Sequence, residues 1–215
     1  MNKNISNLHL DILDSKRQEL LKKLSIFTES FTLGGGTALA LYLKHRKSFD
    51  FDFFSLKPVD KNLLEKISKT VLIGNIVNNT PDELTFFTKN GIKTTFLYYP
   101  FKPYFKPFLA GDNLRLFDIK DIAVQKAYTI GRRGEYRDYF DLYTILKLGF
   151  YDLTKIIETA KKVYGSVFEE KIFLQQLVYF DDLLNFDIIP DSTEKLPTKE
   201  EVKRFLEKLV SDYTE

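Results

Sequence analysis

The chain has 215 residues, 44% of them hydrophobic and 29% charged, which suits one substantial globular domain or two small ones and excludes a disordered chain. Thirty-two basic residues against thirty acidic leave a net charge of +2, too small for a protein that coats nucleic acid without a local basic patch. Cysteine is absent and His9 and His45 are the two histidines, so disulfides, thiolate catalysis and Cys- or His-rich metal sites are excluded.

Neither a long apolar run of transmembrane length nor the apolar stretch of a signal peptide is present, so the expectation is a cytoplasmic protein with no membrane partner. Residues 8–29 are predicted helical, with Leu10, Leu13, Leu20, Leu21 and Leu24 near helical spacing. Phe31 to Leu33 then reads as a strand, Gly34-Gly35-Gly36 as a turn, and Thr37 to Leu43 as a short helix.

Phe49-Asp50-Phe51-Asp52-Phe53 alternates strictly, which predicts a strand with the phenylalanines on one face and the carboxylates on the other. Carboxylates two residues apart on a strand have Cα atoms roughly 6.5 to 7 Å apart and resist joint ionisation unless a cation lies between them. Mg²⁺ accepts one or two protein carboxylates and completes its shell with water and substrate phosphates. A glycine turn opening a helix supplies backbone N–H donors to such phosphates, which makes Gly35, Gly36 and Thr37 candidate triphosphate ligands. Taken alone, the strand reads equally as a half-buried edge with a solvated acidic face.

Asp60 is a candidate N-cap for a helix reaching about Lys69. Residues 71–99 have β texture, with an Asn90-Gly91 hairpin turn, and predict three antiparallel strands extending the sheet that carries the aspartates. Residues 99–108, YPFKPYFKPF, read as a rigid connector, with a base-stacking surface as the alternative. Helices are predicted at 118–132, 135–148, 152–164, 167–182 and 198–213. The expected fold is therefore α+β, a mixed sheet with flanking helices over residues 1–110 followed by a helical bundle over 111–215.

Gly35-Gly36-Thr37-Ala38-Leu39, His45-Arg46, Ser48, Asp50, Asp52 and Phe53 closely resemble the opening motif of the AbiEii/AbiGii-type nucleotidyltransferase toxins, a branch of the polymerase-beta-like superfamily. In 118–146, Lys126, a basic turn with Arg132 and Arg133, and Arg137, Asp138 and Asp141 match the family's second motif. The resemblance implies catalytic roles for Asp50, Asp52, Lys126 and Asp138. It implies Mg²⁺ on Asp50 and Asp52, and NTP contacts from Gly35, Gly36, Thr37, Arg46, Ser48, Lys126 and Arg132 or Arg133.

Without the resemblance, Lys126 reads as solvated and Arg137–Asp141 as an exposed helical pair. His45 reads as an orienter of its turn rather than a base. The superfamily's third carboxylate would fall near Thr94 or Thr95, and threonine there counts against a two-metal site. Asp82 and Glu83 are the acidic residues nearby whose position the sequence leaves open.

The function expected on this resemblance is NMP transfer from an NTP to an acceptor hydroxyl by the toxin of a bacterial toxin–antitoxin pair. RNA such as tRNA is the candidate acceptor and a cognate antitoxin the expected partner. The alternatives are a nucleotide-binding interaction protein with degenerate catalysis, and an enzyme acting on a small molecule or a protein.

Overall fold

Strand β2, Phe51–Ser55, shows why the first half folds as it does: Phe51 and Phe53 are fully excluded from solvent while Asp52 and Phe54 are half-buried on the opposite face. The structure, a computed structural model, describes residues 8–111, 113–183, 185–191 and 195–215. The first residues, including the start of the sequence MNKNISN, lie outside this set.

The described chain divides into two compact units at Asp118 and Ile119. The first holds a seven-stranded sheet in the order β3-β4-β5-β2-β1-β7-β6. Its strands are β1 (Thr32–Gly34), β2, β3 (Ile73–Asn79), β4 (Glu83–Thr88), β5 (Lys93–Tyr98), β6 (Phe108–Ala110) and β7 (Leu114–Leu116). The helices are α1 (Ser15–Leu24), α2 (Gly35–Leu43) and α3 (Leu63–Ser68). The sheet is mixed, because β2 runs parallel to β5 and β1 parallel to β7 while the remaining neighbours are antiparallel.

The core lies on the Phe51 face. Phe53 stacks on Phe96 of β5 with centroids 4.9 Å apart, and Phe31 meets Phe96 edge-on, also at 4.9 Å. Leu33, Leu84 and Phe86, on the flanking strands, are likewise fully buried. Burying such a side chain contributes about 1.5 to 3 kcal/mol, and aromatic pairs add about 0.5 to 1.5. The Asn90-Gly91 turn joins β4 to β5 with Gly91 at φ +76°, as its sequence predicts.

Two expectations need correction. The helix over 8–29 is interrupted: α1 begins at Ser15, because the Asp14 side chain accepts from Arg17 N at 2.9 Å and caps it, and 3₁₀ turns flank it at Leu10–Ile12 and Ser25–Phe27. Phe49 does not join the packed face. Thr37 Oγ1 donates to the Asp50 carbonyl, strand pairing of β2 starts at Phe51, and Phe49 is left 40% exposed beneath the Arg17 guanidinium.

β6 and β7 are too short to show a period, and the pairing of β7 with β1 and of β6 with β7, rather than local pattern, makes them strands. That hairpin pairs into the sheet, and the compact unit that holds it ends at Asp118.

The second unit is helical: α4 (Ile119–Thr129), α5 (Tyr136–Lys147), α6 (Leu153–Tyr164), α7 (Glu170–Val178) and α8 (Lys199–Thr214). α4 packs on α5 and α6, and α8 on α7, α5 and α6. Tyr128 stacks on Tyr164 at 4.3 Å, and Tyr143 meets Phe205 at 5.0 Å. Asp152 caps α6, and a Thr198–Glu201 capping box starts α8, each satisfying N–H groups that a helix start leaves open. Among the described residues, no helix is long and apolar enough to cross a membrane.

Candidate active site

In the sheet unit the site is built by the β1–α2–β2 connection. Gly34 ends β1 opposite Asp52 in the antiparallel pair, and α2 starts at the next residue. Gly35 has φ +66°, a conformation that disfavours any side chain, and a Cβ there would stand 2.8 Å from Asp52 Oδ2. The Asp52 carboxylate thus lies against the backbone of the turn. Gly34 at the N-cap gives α2 no side-chain cap, and a helix start of this kind carries backbone N–H groups and a positive dipole end suited to an anion.

Behind the turn, a Cβ on Gly36 would collide with Arg46 Nη2 and stand 3.2 Å from Ser48 Oγ. Thr37 Oγ1 hydrogen-bonds Ser48 Oγ at 2.8 Å and also the Asp50 carbonyl. Arg46 is only 4% exposed and donates through Nη1 to the Lys47 carbonyl at 3.0 Å. The loop before β2 is therefore tied to α2, and Gly35, Gly36, Thr37, Arg46, Ser48, the Asp50 carbonyl and Asp52 come together as one constellation. Asp50 is half-buried, and among the described residues none hydrogen-bonds or ion-pairs with its carboxylate.

Strand register separates the two threonines. Thr95 lies beside Asp52 across the parallel β2–β5 pair and shares its face, whereas Thr94 pairs with Phe51 on the core side and is fully buried. The Thr94 hydroxyl has no hydrogen-bond partner among the described residues. Thr95 Oγ1 bonds Thr85 Oγ1 at 3.1 Å, and Thr85 Oγ1 donates to Glu83 Oε1 at 2.5 Å. Glu83 thus lies on the Asp52 face but two strands away, and no group of three His, Cys, Asp or Glu suited to a metal occurs among the described residues. Two hard carboxylates fit one Mg²⁺ that draws its other ligands from water and phosphate.

In the helical unit a second cluster forms by itself. Lys126 on α4 is 5% exposed, and its Nζ lies 2.6 Å from Asp138 Oδ1 and 2.6 Å from Asp141 Oδ2, both on α5. Arg133 adds Nε to Asp138 Oδ2 at 2.7 Å and Nη2 to Oδ1 at 3.0 Å. Asp138 and Asp141 are three residues apart on α5, so one helical face presents both to Lys126. Burial alone would raise the Asp138 pKa, but Lys126 and Arg133 outweigh it and hold the carboxyl below the usual range.

These contacts correct two readings. Lys126 is buried rather than solvated, and Asp141 pairs with Lys126 while Arg137 reaches Glu135 at 3.2 Å. Arg132 is committed elsewhere. It donates to the carbonyls of Tyr128 and Val167, each at 2.7 Å, and its guanidinium lies 3.9 Å over the Tyr128 ring. Of the two arginines, Arg133 joins the cluster. The Thr95–Thr85–Glu83 chain escaped sequence reading, because ELTFF shows which residues share a face but not which strand lies beside it.

The chain is 32% identical over 212 residues to an uncharacterized protein of Aquifex aeolicus (strain VF5), covering 93% of this chain and 96% of that one. Its fold is similar to that of the nucleotidyltransferase toxin MenT4 from Mycobacterium tuberculosis H37Rv, with a TM-score of 0.61. That match has 14% identity and covers 94% of this chain and 82% of MenT4. JHP933 from Helicobacter pylori is also similar, at TM-score 0.54 and 19% identity, over 96% of this chain and 95% of that one. Residues 19–100 and 83–215 match the family described as nucleotidyl transferase AbiEii toxin, type IV TA system, and the chain belongs to that family.

Proposed function

We propose that this toxin-family nucleotidyltransferase transfers a nucleoside monophosphate from an NTP to an acceptor hydroxyl using the β1–α2–β2 constellation. The observation that carries this reading is the Asp52 carboxylate lying against Gly35 at an uncapped helix N-terminus. In the reaction the acceptor oxygen bonds to the α-phosphorus, the bond to the bridging oxygen of the β-phosphate breaks, pyrophosphate leaves, and the hydroxyl proton passes to solvent or a nearby carboxylate.

Gly35, Gly36 and Thr37 seat the triphosphate on backbone N–H groups, with Ser48 held in place by Thr37 and Arg46 supplying a fixed positive charge behind the turn. Asp50 and Asp52 are the residues that would hold Mg²⁺, which neutralises phosphate charge when bound. In the helical unit, Lys126 and Asp138, which match the family's second motif, are proposed as further functional residues, with Arg133 beside Asp138. Arg132 is left out because its donors are used by Tyr128 and Val167. An RNA such as tRNA is the proposed acceptor, and an antitoxin protein the proposed partner.

Incubation with each α-labelled NTP, Mg²⁺ and fractionated cell extract tests the assignment. Label should enter an RNA fraction, and transfer should vanish in Asp52→Asn. Label entering protein or small molecules instead would replace RNA as the acceptor. A second reading, nucleotide binding with degenerate catalysis, draws on Thr95 standing beside Asp52 where the superfamily has a carboxylate. It predicts NTP binding without pyrophosphate release.

A further inference from the structure

The sheet unit contains a cleft of about 570 Å³ that the transfer reaction does not use. It is walled by Phe54, Tyr99, Phe101 and Phe117, with Lys57 and Arg115 among its lining residues. Phe54 meets Tyr99 edge-on at 5.4 Å and Phe117 at 5.6 Å, and Tyr99 meets Phe101 at 5.3 Å. Phe54, Tyr99 and Phe101 are only half-buried although they have aromatic neighbours, so part of each ring is open to solvent.

Among the described residues, neither Lys57 nor Arg115 has a carboxylate within salt-bridge distance. Lys66, also on the lining, is already matched by Asp60 at 2.5 Å. The cleft is separate from the carboxylate constellation: none of residues 34–53 lines it. Gly34 marks the partition, since a Cβ there would strike the Phe54 ring at 2.7 Å and the Phe117 ring at 2.8 Å.

We propose that this cleft is a second nucleotide site, taking one base against the aromatic wall and its phosphate at Lys57 and Arg115. The volume is within the range of about 300 to 1,000 Å³ typical of small-molecule sites. Stacking on aromatic rings favours a planar base without reading its identity, and unmatched cations favour its phosphate over a neutral or hydrocarbon ligand. Pro58, Pro103 and Pro107 also line the cleft and restrict the backbone around it, which lowers the ordering cost of binding. This explains the Pro- and aromatic-rich segment after β5 as more than a connector. The nucleotide is either free or a unit of a nucleic acid chain, and the proposal does not rest on the transfer reaction.

The test uses the full chain in EDTA, with labelled AMP in equilibrium dialysis and a short fluorescent oligoadenylate in anisotropy. Phe101→Ala should weaken binding by roughly tenfold or more, as loss of a stacked ring does, and Phe101→Tyr should restore it. The Lys57→Ala/Arg115→Ala double variant should weaken both probes, and its exposed positions keep the test open if Phe101→Ala melts early. AMP binding with these losses supports a site for free nucleotide, and oligoadenylate binding alone supports a site for a chain. Failure of both probes to bind at millimolar concentration overturns the proposal. So does binding abolished by Asp52→Asn and untouched by Phe101→Ala or by the double variant.

Discussion

Asp52 Oδ2 stands 2.8 Å from the point where a Cβ on Gly35 would lie, so the carboxylate on β2 and the left-handed residue opening α2 occupy one another's space. Gly35→Ala should therefore cost about 1 to 2 kcal/mol of stability from its positive φ and also displace the carboxylate. Thermal melts and label transfer check this, with transfer falling far more than the melt accounts for. Full activity in Gly35→Ala would show that Asp52 has no part in the chemistry.

The opposite faces of β2 give a second test. Phe51 is fully buried, so Phe51→Ala should destabilise by about 3 to 5 kcal/mol and lose activity through lost fold. Asp52→Asn leaves the packed face untouched and should keep the melting temperature while abolishing transfer. An Asp52→Asn protein that melts far below the wild type would make that carboxylate structural.

Under the proposed assignment, removal of the divalent ion should weaken NTP binding, because the phosphates would then face Asp50 and Asp52 without a bridging cation. Calorimetric titration with Mg²⁺ and with EDTA measures this. Equal affinities would mean that the acidic pair does not hold a metal.

Lys126 is expected to be a stability residue as well as a functional one. Lys126→Ala leaves Asp138 and Asp141 buried without its charge, a change that costs about 3 to 5 kcal/mol in comparable buried pairs. Arg132→Ala removes donors from the Tyr128 and Val167 carbonyls but leaves Asp138 paired, so it should cost less and leave transfer near wild type. Chemical denaturation of both variants beside the transfer assay separates the two roles.

The pH dependence follows from Asp138. Its folded pKa is held below the ordinary value, so its contribution to stability is fully present above the unfolded pKa of about 3.9 and is lost as pH falls through the folded value. Asp138→Asn should lower stability at neutral pH and flatten the loss of stability below about pH 4. Denaturation midpoints across that range measure it, and an unchanged acid slope would remove Asp138 as its source.

The sequence by itself determined the local features: the glycine turn, the alternation that buries Phe51 and Phe53 away from Asp52, the Asn90-Gly91 hairpin, and the helices after Asp118. Each depends on backbone sterics or side-chain period, which act over a few residues. Family motifs added the candidate residues without their partners. The tertiary structure alone decided that Thr95 rather than Thr94 stands beside Asp52, because a one-residue shift in register exchanges the faces. It also decided that Phe49 lies outside the core, that β7 joins β1 across more than eighty residues of chain, and that Lys126 is buried between two carboxylates. These outcomes depend on which elements meet in space, and for a charged group such as Lys126 only the partners it meets determine whether burial is tolerated.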